Sequence, residues 1–106
     1  MPILYPEKTL QPCTVSCRVV QKDGYTPASF ASVTVFKVFR FLWWDILWYV
    51  TGGTADFYGK IAFSLERNTR YKFRVGWTGT DGKRRGWEEP LITQICPWTM
   101  TLKAPW

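Results

Sequence analysis

Residues 70–77, RYKFRVGW, decide the fold, because apolar and basic side chains alternate along them without a break. In an extended chain, successive side chains point to opposite sides. Strict alternation therefore predicts a β-strand with one buried and one solvated face. We expect the buried face to carry Tyr71, Phe73, Val75 and Trp77, and the solvated face to carry Arg70, Lys72 and Arg74.

The rest of the chain repeats this pattern of short apolar runs separated by turn residues. Glycine and proline recur between the runs, and aromatic residues make up 18% of the 106 residues, which favours strands over helices. Turn signals about every ten residues predict an antiparallel sandwich or barrel. Besides 70–77, we expect strands at residues 14–21, 31–41, 60–65, 91–96 and 98–103.

A hairpin is predicted after residue 77, because Asp81-Gly82 is a preferred pair for a two-residue type I′ turn. Pairing outward from that turn places Trp77 opposite Gly86 and Gly76 opposite Trp87, so that each indole covers a glycine. We expect Pro90 to end the second strand of this hairpin.

Residues 41–50, FLWWDILWYV, hold nine apolar or aromatic residues around Asp45. The run is too short for a membrane span, which needs ~20 apolar residues. A reversal at Trp44-Asp45, a bent strand and a wider loop all remain open. Core filling, a protein assembly surface and a glycan platform are the alternatives for its role. The expected interface residues are Phe39, Phe41, Trp43, Trp44, Ile46, Trp48 and Tyr49.

Catalysis is not expected, and neither is a cofactor or a metal. The chain contains no histidine, which removes the commonest general base and the commonest metal ligand. The adjacent carboxylates Glu88 and Glu89 would point to opposite faces of a strand and cannot act as a pair.

The formal net charge of +6 favours anionic partners. The basic side chains could contact nucleic acid, with nearby Trp77 and Trp87 stacking on its bases. The alternative, which we favour, is that they form a solvated outer face of the sheet. The residues of a polyanion contact would be Arg70, Lys72, Arg74, Lys83, Arg84 and Arg85.

Three cysteines, Cys13, Cys17 and Cys96, cannot supply the four ligands of structural zinc. A disulfide from Cys13 or Cys17 to Cys96 would tie the first strand to the last, whereas three free thiols are the alternative. Such a bond suits an oxidising compartment or a hyperthermophile. The single asparagine agrees with a thermophilic origin, but the expected Lys/Glu enrichment is missing.

Residues 1–13 are rich in proline and predict an extended arm before a single domain at 14–106. The arm could add a strand to the sheet edge of a neighbour. It lacks the features of a signal peptide. The compartment stays undetermined, with a virion or cell-surface location favoured.

Turn and strand residues follow a regular spacing over residues 14–76, at Gly24, Pro27, Ala31, Val33, Val35, Thr54, Asp56, Gly59, Ile61, Phe63, Leu65, Asn68, Thr69, Tyr71, Phe73 and Val75. This spacing resembles that of the carboxypeptidase-regulatory-like and collagen-adhesin B-type domains, which share a transthyretin-like sandwich. This resemblance implies an all-β fold: a single antiparallel Greek-key β-sandwich of about seven strands, transthyretin-like or Ig-like. Residues 91–103 contain no Asn or Asp, so the isopeptide bond of some adhesin-type members is not expected.

The sequence thus favours a non-catalytic structural module, such as a filament, virion or appendage subunit. It would associate with copies of itself, or with a larger assembly, through its aromatic surface and its strand edges. The alternative is a β module that binds carbohydrate or single-stranded nucleic acid through tryptophan platforms and the basic hairpin.

Overall fold

The computed structural model describes residues 12–79 and 81–105, and the regular structure among these residues consists of strands. This part of the chain contains no helix of the length and apolar character that crossing a membrane requires. Residues 1–11 of the expected arm lie outside the described residues. The strands are β1 (Cys13–Val20), β2 (Ser32–Phe41), β3 (Trp44–Thr54), β4 (Lys60–Leu65), β5 (Arg70–Thr78), β6 (Arg84–Ile92) and β7 (Trp98–Lys103).

The strands form two sheets that pack face to face, so the predicted all-β character and the number of strands are confirmed. One sheet has the order β4-β1-β7 and the other the order β3-β2-β5-β6. Every pair is antiparallel except β1 with β7, which is parallel. The expectation of a purely antiparallel fold was therefore wrong for this pair.

The core lies between the two sheets and is built by alternation along each strand. The burial of β1 alternates from Cys13 to Val19, and the predicted inward face of β5 is buried at Tyr71, Phe73 and Val75. Across the gap, the rings of Phe63 and Phe73 meet edge to face with centroids 6.0 Å apart. The hydroxyl of buried Tyr71 accepts the backbone N–H of Glu66 at 2.9 Å, which satisfies its polar end.

The β5–β6 hairpin forms at the predicted place but in a different register. Gly76 lies opposite Gly86, and Trp77 lies opposite Arg85, so the expected tryptophan–glycine pairs were wrong by one residue. The cause is the turn: the Gly82 N–H binds the Gly79 carbonyl, and Gly82 adopts φ +81°. This is a three-residue loop with a glycine bulge rather than a two-residue type I′ turn.

Pro90 does not end its strand, contrary to expectation. Strand β6 continues through it to Ile92, so residues 91–92 belong to β6 and the separate strand expected over residues 91–96 was wrong. A proline lacks the N–H that a central strand must donate, but β6 lies at the edge of its sheet and pairs only with β5. The edge position therefore allows Pro90 inside the strand, although the sequence pattern alone indicated that it would end the strand.

A disulfide joins Cys13, at the start of β1, to Cys96, just before β7. Of the two pairings that the sequence left open, the structure contains this one. Cys17 is a free thiol on the inner face of β1 and is buried. Burial raises the pKa of the Cys17 thiol to about 12.

We predict that loss of the disulfide lowers the free energy of unfolding by roughly 4–5 kcal/mol, because the bond closes a loop of 83 residues. Urea unfolding of the wild type with and without reductant measures this difference. The Cys96→Ser variant should be equally weakened and should not respond to reductant. An unchanged wild-type midpoint under reductant would contradict the prediction.

We also predict that Cys17 is inert in the folded protein at pH 8, because its thiol is buried and stays protonated. A colorimetric thiol reagent should find no fast-reacting group in the native chain. Unfolding in urea without reductant should expose a single thiol. The Cys17→Ala variant is the control and should show none, whereas rapid reaction of the native wild type would count against this placement.

Candidate functional site

The β2–β3 hairpin extends past the end of the sandwich. Strand β2 pairs with β3 along its whole length, but with β5 only from Ser32 to Lys37. Residues 38–47 therefore form a two-stranded projection with no third strand beside it. Together with Trp48, which pairs with Lys37 at its root, these residues are here called the overhang. Four residue pairs at about 3.3 Å each give the projection a length of roughly 13 Å before the turn.

The overhang turns at Leu42-Trp43, with Phe41 paired to Trp44. The sequence had left open a reversal at Trp44-Asp45, which would place Trp43 within the strand, and this proposed turn was wrong. Leu42 adopts φ +57°, so the positive φ that a tight turn demands falls on leucine rather than on tryptophan. Trp43 lies at the tip and is 79% exposed.

One face of the overhang continues the inner face of the four-stranded sheet. Along β2, side chains alternate, so Phe39 and Phe41 follow Val33 and Val35 on the same side. Val33 and Val35 are buried beneath the opposite sheet, but no strand of that sheet is paired into the overhang. The face is therefore an extension of the core without its cover. Its members are Phe39, Phe41, Trp44, Ile46 and Trp48.

The side chains of this face pack against one another rather than standing apart. Phe41 and Trp44 meet with ring centroids 5.5 Å apart, and Phe39 and Trp48 meet with centroids 6.5 Å apart. Phe39, Ile46 and Trp48 surround an apolar hollow of about 360 Å³. The face is therefore a packed aromatic surface rather than a row of separate side chains.

The opposite face of the overhang carries one ion pair. Arg40 lies across from Asp45, and its Nε donates to the carboxylate at 2.9 Å. The sequence had raised a cation–π contact of Arg40 with Tyr49. Instead, Tyr49 packs edge to face on Phe36 with centroids 6.3 Å apart. The single carboxylate of the segment is thus neutralised across the strands.

A second ion pair marks the root of the overhang. Lys37 Nζ donates to the carboxylate of Glu66, just past the end of β4, and this hydrogen bond raises the pKa of Lys37. The ammonium also lies 5.5 Å from the centre of the Phe39 ring. Lys37 therefore separates the covered part of the inner face from the uncovered part.

A further group of exposed aromatic side chains lies at the other end of the same ribbon, and the sequence reasoning missed it. Phe30 precedes β2, while Phe57 and Tyr58 follow β3, so this distal cluster is remote from the tip. The centroids of Phe30 and Phe57 are 6.2 Å apart, and those of Phe57 and Tyr58 are 5.4 Å apart. All three are more than 60% exposed. These three residues lie in turns, where apolar side chains do not alternate, so no sequence pattern marked them as a cluster.

The predicted basic residues do not all share one surface. Arg70, Lys72, Arg74 and Arg84 lie on the outer face of the four-stranded sheet, because their neighbours along β5 and β6 point inward. Arg85 points to the inner side and pairs with Asp81 at 3.0 Å, while Lys83 belongs to the loop.

Trp77 and Trp87 do not flank the basic residues. Both are half-buried and pack against the core from the inner face. The idea that these rings form a stacking platform beside the basic side chains was therefore wrong. Alternation along β5 and β6 sends the indoles and the outer cations to opposite sides of the sheet.

Within residues 12–79 and 81–105, no three His, Cys, Asp or Glu side chains come together in a way that could hold a metal ion. The described residues offer three surfaces: an uncovered aromatic face, a distal aromatic cluster and a basic sheet face.

Comparison with known proteins identifies a likeness of fold. No protein-family model matches the chain, and no curated protein matches it. Among solved structures, it is similar to part of a 9R-lipoxygenase from Cyanothece PCC8801, with a TM-score of 0.57 and 12% identity over 98% of this chain. The chain spans 18% of the length of that lipoxygenase chain. At this identity the likeness concerns the fold alone.

The exposure of the overhang predicts a contrast in stability. Trp48→Ala should change the free energy of unfolding by less than ~1 kcal/mol, because the side chain is 66% exposed. Phe73→Ala should lower it by about 3–5 kcal/mol, because Phe73 is fully buried. Urea unfolding of the isolated chain at low concentration measures both. A loss at Trp48 as large as that at Phe73 would show that the overhang belongs to the core.

Proposed function

We propose that this chain is a non-catalytic assembly module that associates with further copies of itself through the overhang. The observation that carries the proposal is the uncovered continuation of the inner sheet face. Buried side chains at Val33 and Val35 give way to exposed Phe39 and Phe41 on the same side of one strand. A face with the composition of a core and no second sheet over it is suited to cover by another molecule.

The size of the exposed surface supports this proposal. The aromatic surface comprises Phe39, Phe41, Trp43, Trp44, Ile46 and Trp48, which lie on the uncovered face or at the tip and are each 40–79% exposed. Tyr49, which the sequence grouped with them, lies on the opposite face beside Phe36 and adds nothing to this patch. With ~150–250 Å² per side chain, roughly 500–800 Å² is available. That reaches or exceeds the largest apolar patch of a typical monomer, about 300–600 Å². It approaches the ~800 Å² that each partner contributes to a standard interface.

The distal cluster supports a head-to-tail arrangement. Exposed aromatic groups lie at both ends of the β2–β3 ribbon, at Trp43 on one end and at Phe57 and Tyr58 on the other. Contact between unlike ends is heterologous, and such contacts build open chains when the rotation does not close a ring. The overhang of one copy would then lie against the distal cluster of the next, as in a filament.

A transthyretin-like Greek-key sandwich is the fold family we propose. Three residues that carry the resemblance occupy positive-φ turns: Gly24 at +86°, Gly59 at +75° and Asn68 at +52°. The first two strands of an immunoglobulin constant domain share a sheet, whereas β1 and β2 lie in different sheets here. The strand order thus favours the transthyretin-like alternative over the Ig-like one.

Carbohydrate binding is the alternative function for the same surface. The apolar hollow bounded by Phe39, Ile46 and Trp48 offers flat rings on which a sugar could stack. We favour assembly because the exposed surface is wide and continues around the tip at Trp43, rather than being confined to the hollow.

The test uses two variants, each damaged at one end: Trp43→Ser with Trp48→Ser at the overhang, and Phe57→Ser with Tyr58→Ser at the distal cluster. Light scattering over a concentration series should show the mass of the wild type rising with concentration. Each variant alone should stay monomeric. An equimolar mixture of the two should form pairs and go no further, because each partner contributes its intact end.

Ile95→Ser is the matched control, since Ile95 is 65% exposed but lies outside both aromatic groups. It should assemble like the wild type. A wild type that stays monomeric at every concentration would overturn the proposal and favour the glycan alternative. Unimpaired assembly of the distal variant would instead point to contact between two overhangs.

A further inference from the structure

The outer face of the four-stranded sheet contains a groove that is separate from the aromatic surface. Its floor is the row where Ser32, Gly76 and Gly86 lie side by side on β2, β5 and β6. Because two of these residues lack side chains, the row is lower than its neighbours. The groove has a volume of about 410 Å³.

Glycine at position 76 keeps the groove open. A Cβ there would lie 2.6 Å from the Arg84 guanidinium and 2.9 Å from the Ser32 hydroxyl. Arg84 donates to that hydroxyl at 2.7 Å, so its guanidinium is held across the floor rather than extending freely into solvent. Within the described ranges, Arg84 forms no ion pair with a carboxylate.

Arg74 forms the other wall, and Thr34 adds a second hydroxyl beside it. The Arg74 guanidinium lies 4.7 Å from the centre of the Phe36 ring, which supports it from one side. The groove is therefore lined by two arginines and two hydroxyl groups around a glycine floor, with the Arg84 guanidinium lying over the floor. Planar guanidinium groups suit the oxygen atoms of sulfate and phosphate, to which they donate paired hydrogen bonds.

The surrounding charge is positive and only partly compensated. The outward charged side chains of β5 and β6 are Arg70, Lys72, Arg74, Arg84 and Glu88. Glu88 is shared, since its carboxylate lies 2.7 Å from Arg74 and 3.6 Å from Lys72. The hydrogen bond from Arg74 lowers the pKa of the Glu88 carboxyl, which therefore stays ionised at neutral pH. One carboxylate thus serves as the internal counter-ion of two cations.

We propose that this groove binds a sulfate group of a sulfated glycan, with Arg84 and Arg74 as its main contacts. Lys72 and Arg70 continue the positive charge along β5 at intervals of about 7 Å, so further anionic groups of the same chain could follow that strand. The site is independent of the assembly proposed above, because none of its residues belongs to the aromatic surface.

A glycan fits this face better than a single-stranded nucleic acid does. Nucleic acid binding gains much of its strength from bases stacked on aromatic rings. The rings nearest to the groove are not free for stacking. Phe36 lies against Arg74, and Trp77 and Trp87 point to the other side of the sheet. The available groups are guanidinium and hydroxyl groups, which match sulfate and sugar oxygen atoms.

The test measures the affinity of the full chain for a sulfated heparin oligosaccharide, for its desulfated counterpart and for oligothymidylate, all at the same low salt concentration. The sulfated probe should bind most tightly. Arg84→Gln should weaken that binding about tenfold or more, as expected for a lost charge-assisted contact. Gly76→Ala should weaken it comparably while leaving the net charge unchanged, because the added methyl group fills the groove.

Glu88→Gln should tighten binding about threefold, because it releases Arg74 and Lys72 from their counter-ion. Lys22→Gln and Glu66→Gln make the same charge changes away from the groove and serve as matched controls, and thermal unfolding verifies that every variant is folded. Equal losses for Lys22→Gln and Arg84→Gln would overturn the site, and so would full binding by Gly76→Ala. Oligothymidylate binding as tightly as the sulfated probe would overturn the choice of glycan.

Discussion

The pairing of β2 with β5 is the constraint on which the rest of the structure depends. It sets Val33 opposite Val75 and Val35 opposite Phe73, and these four side chains are fully buried at the centre of the core. The pairing ends at Lys37, where β5 begins, yet β2 continues for four more residues with only β3 beside it. The same alternation of side chains along β2 therefore places core residues in its first half and exposed aromatic residues in its second half.

Most of the strands could be predicted, because the alternation of apolar and polar side chains along a strand is visible within a few neighbouring residues. The strand predicted over residues 70–77 differs from β5 by one residue, and the one predicted over 60–65 agrees with β4. The parallel pairing of β1 with β7 could not be predicted in this way. It joins the two ends of the chain, and no local pattern states which strands will be neighbours.

The turns explain what sequence reasoning missed about the surfaces. At Asp81-Gly82 and in the overhang, the residues of the turn were misplaced by one or two positions. Because side chains alternate, such a shift changes which residues share a row or a face. Gly76 and Gly86 were expected opposite tryptophans, so the groove that they form together could not be foreseen. The exposure of Trp43 and Trp48 was one of the alternatives that the sequence left open beside core filling, because a small sandwich has little interior for so many rings.

The two proposed surfaces belong to one sheet, and this has a consequence for binding strength. The three-stranded sheet closes the core and carries one end of the disulfide, whereas both the overhang and the groove include residues of β2. Subunits joined head to tail would repeat the groove along the assembly. A long sulfated chain would then meet several grooves in succession, and each contact after the first would be intramolecular. Weak binding by a single subunit is therefore compatible with firm attachment of an assembled filament, provided that the spacing of the grooves suits the glycan.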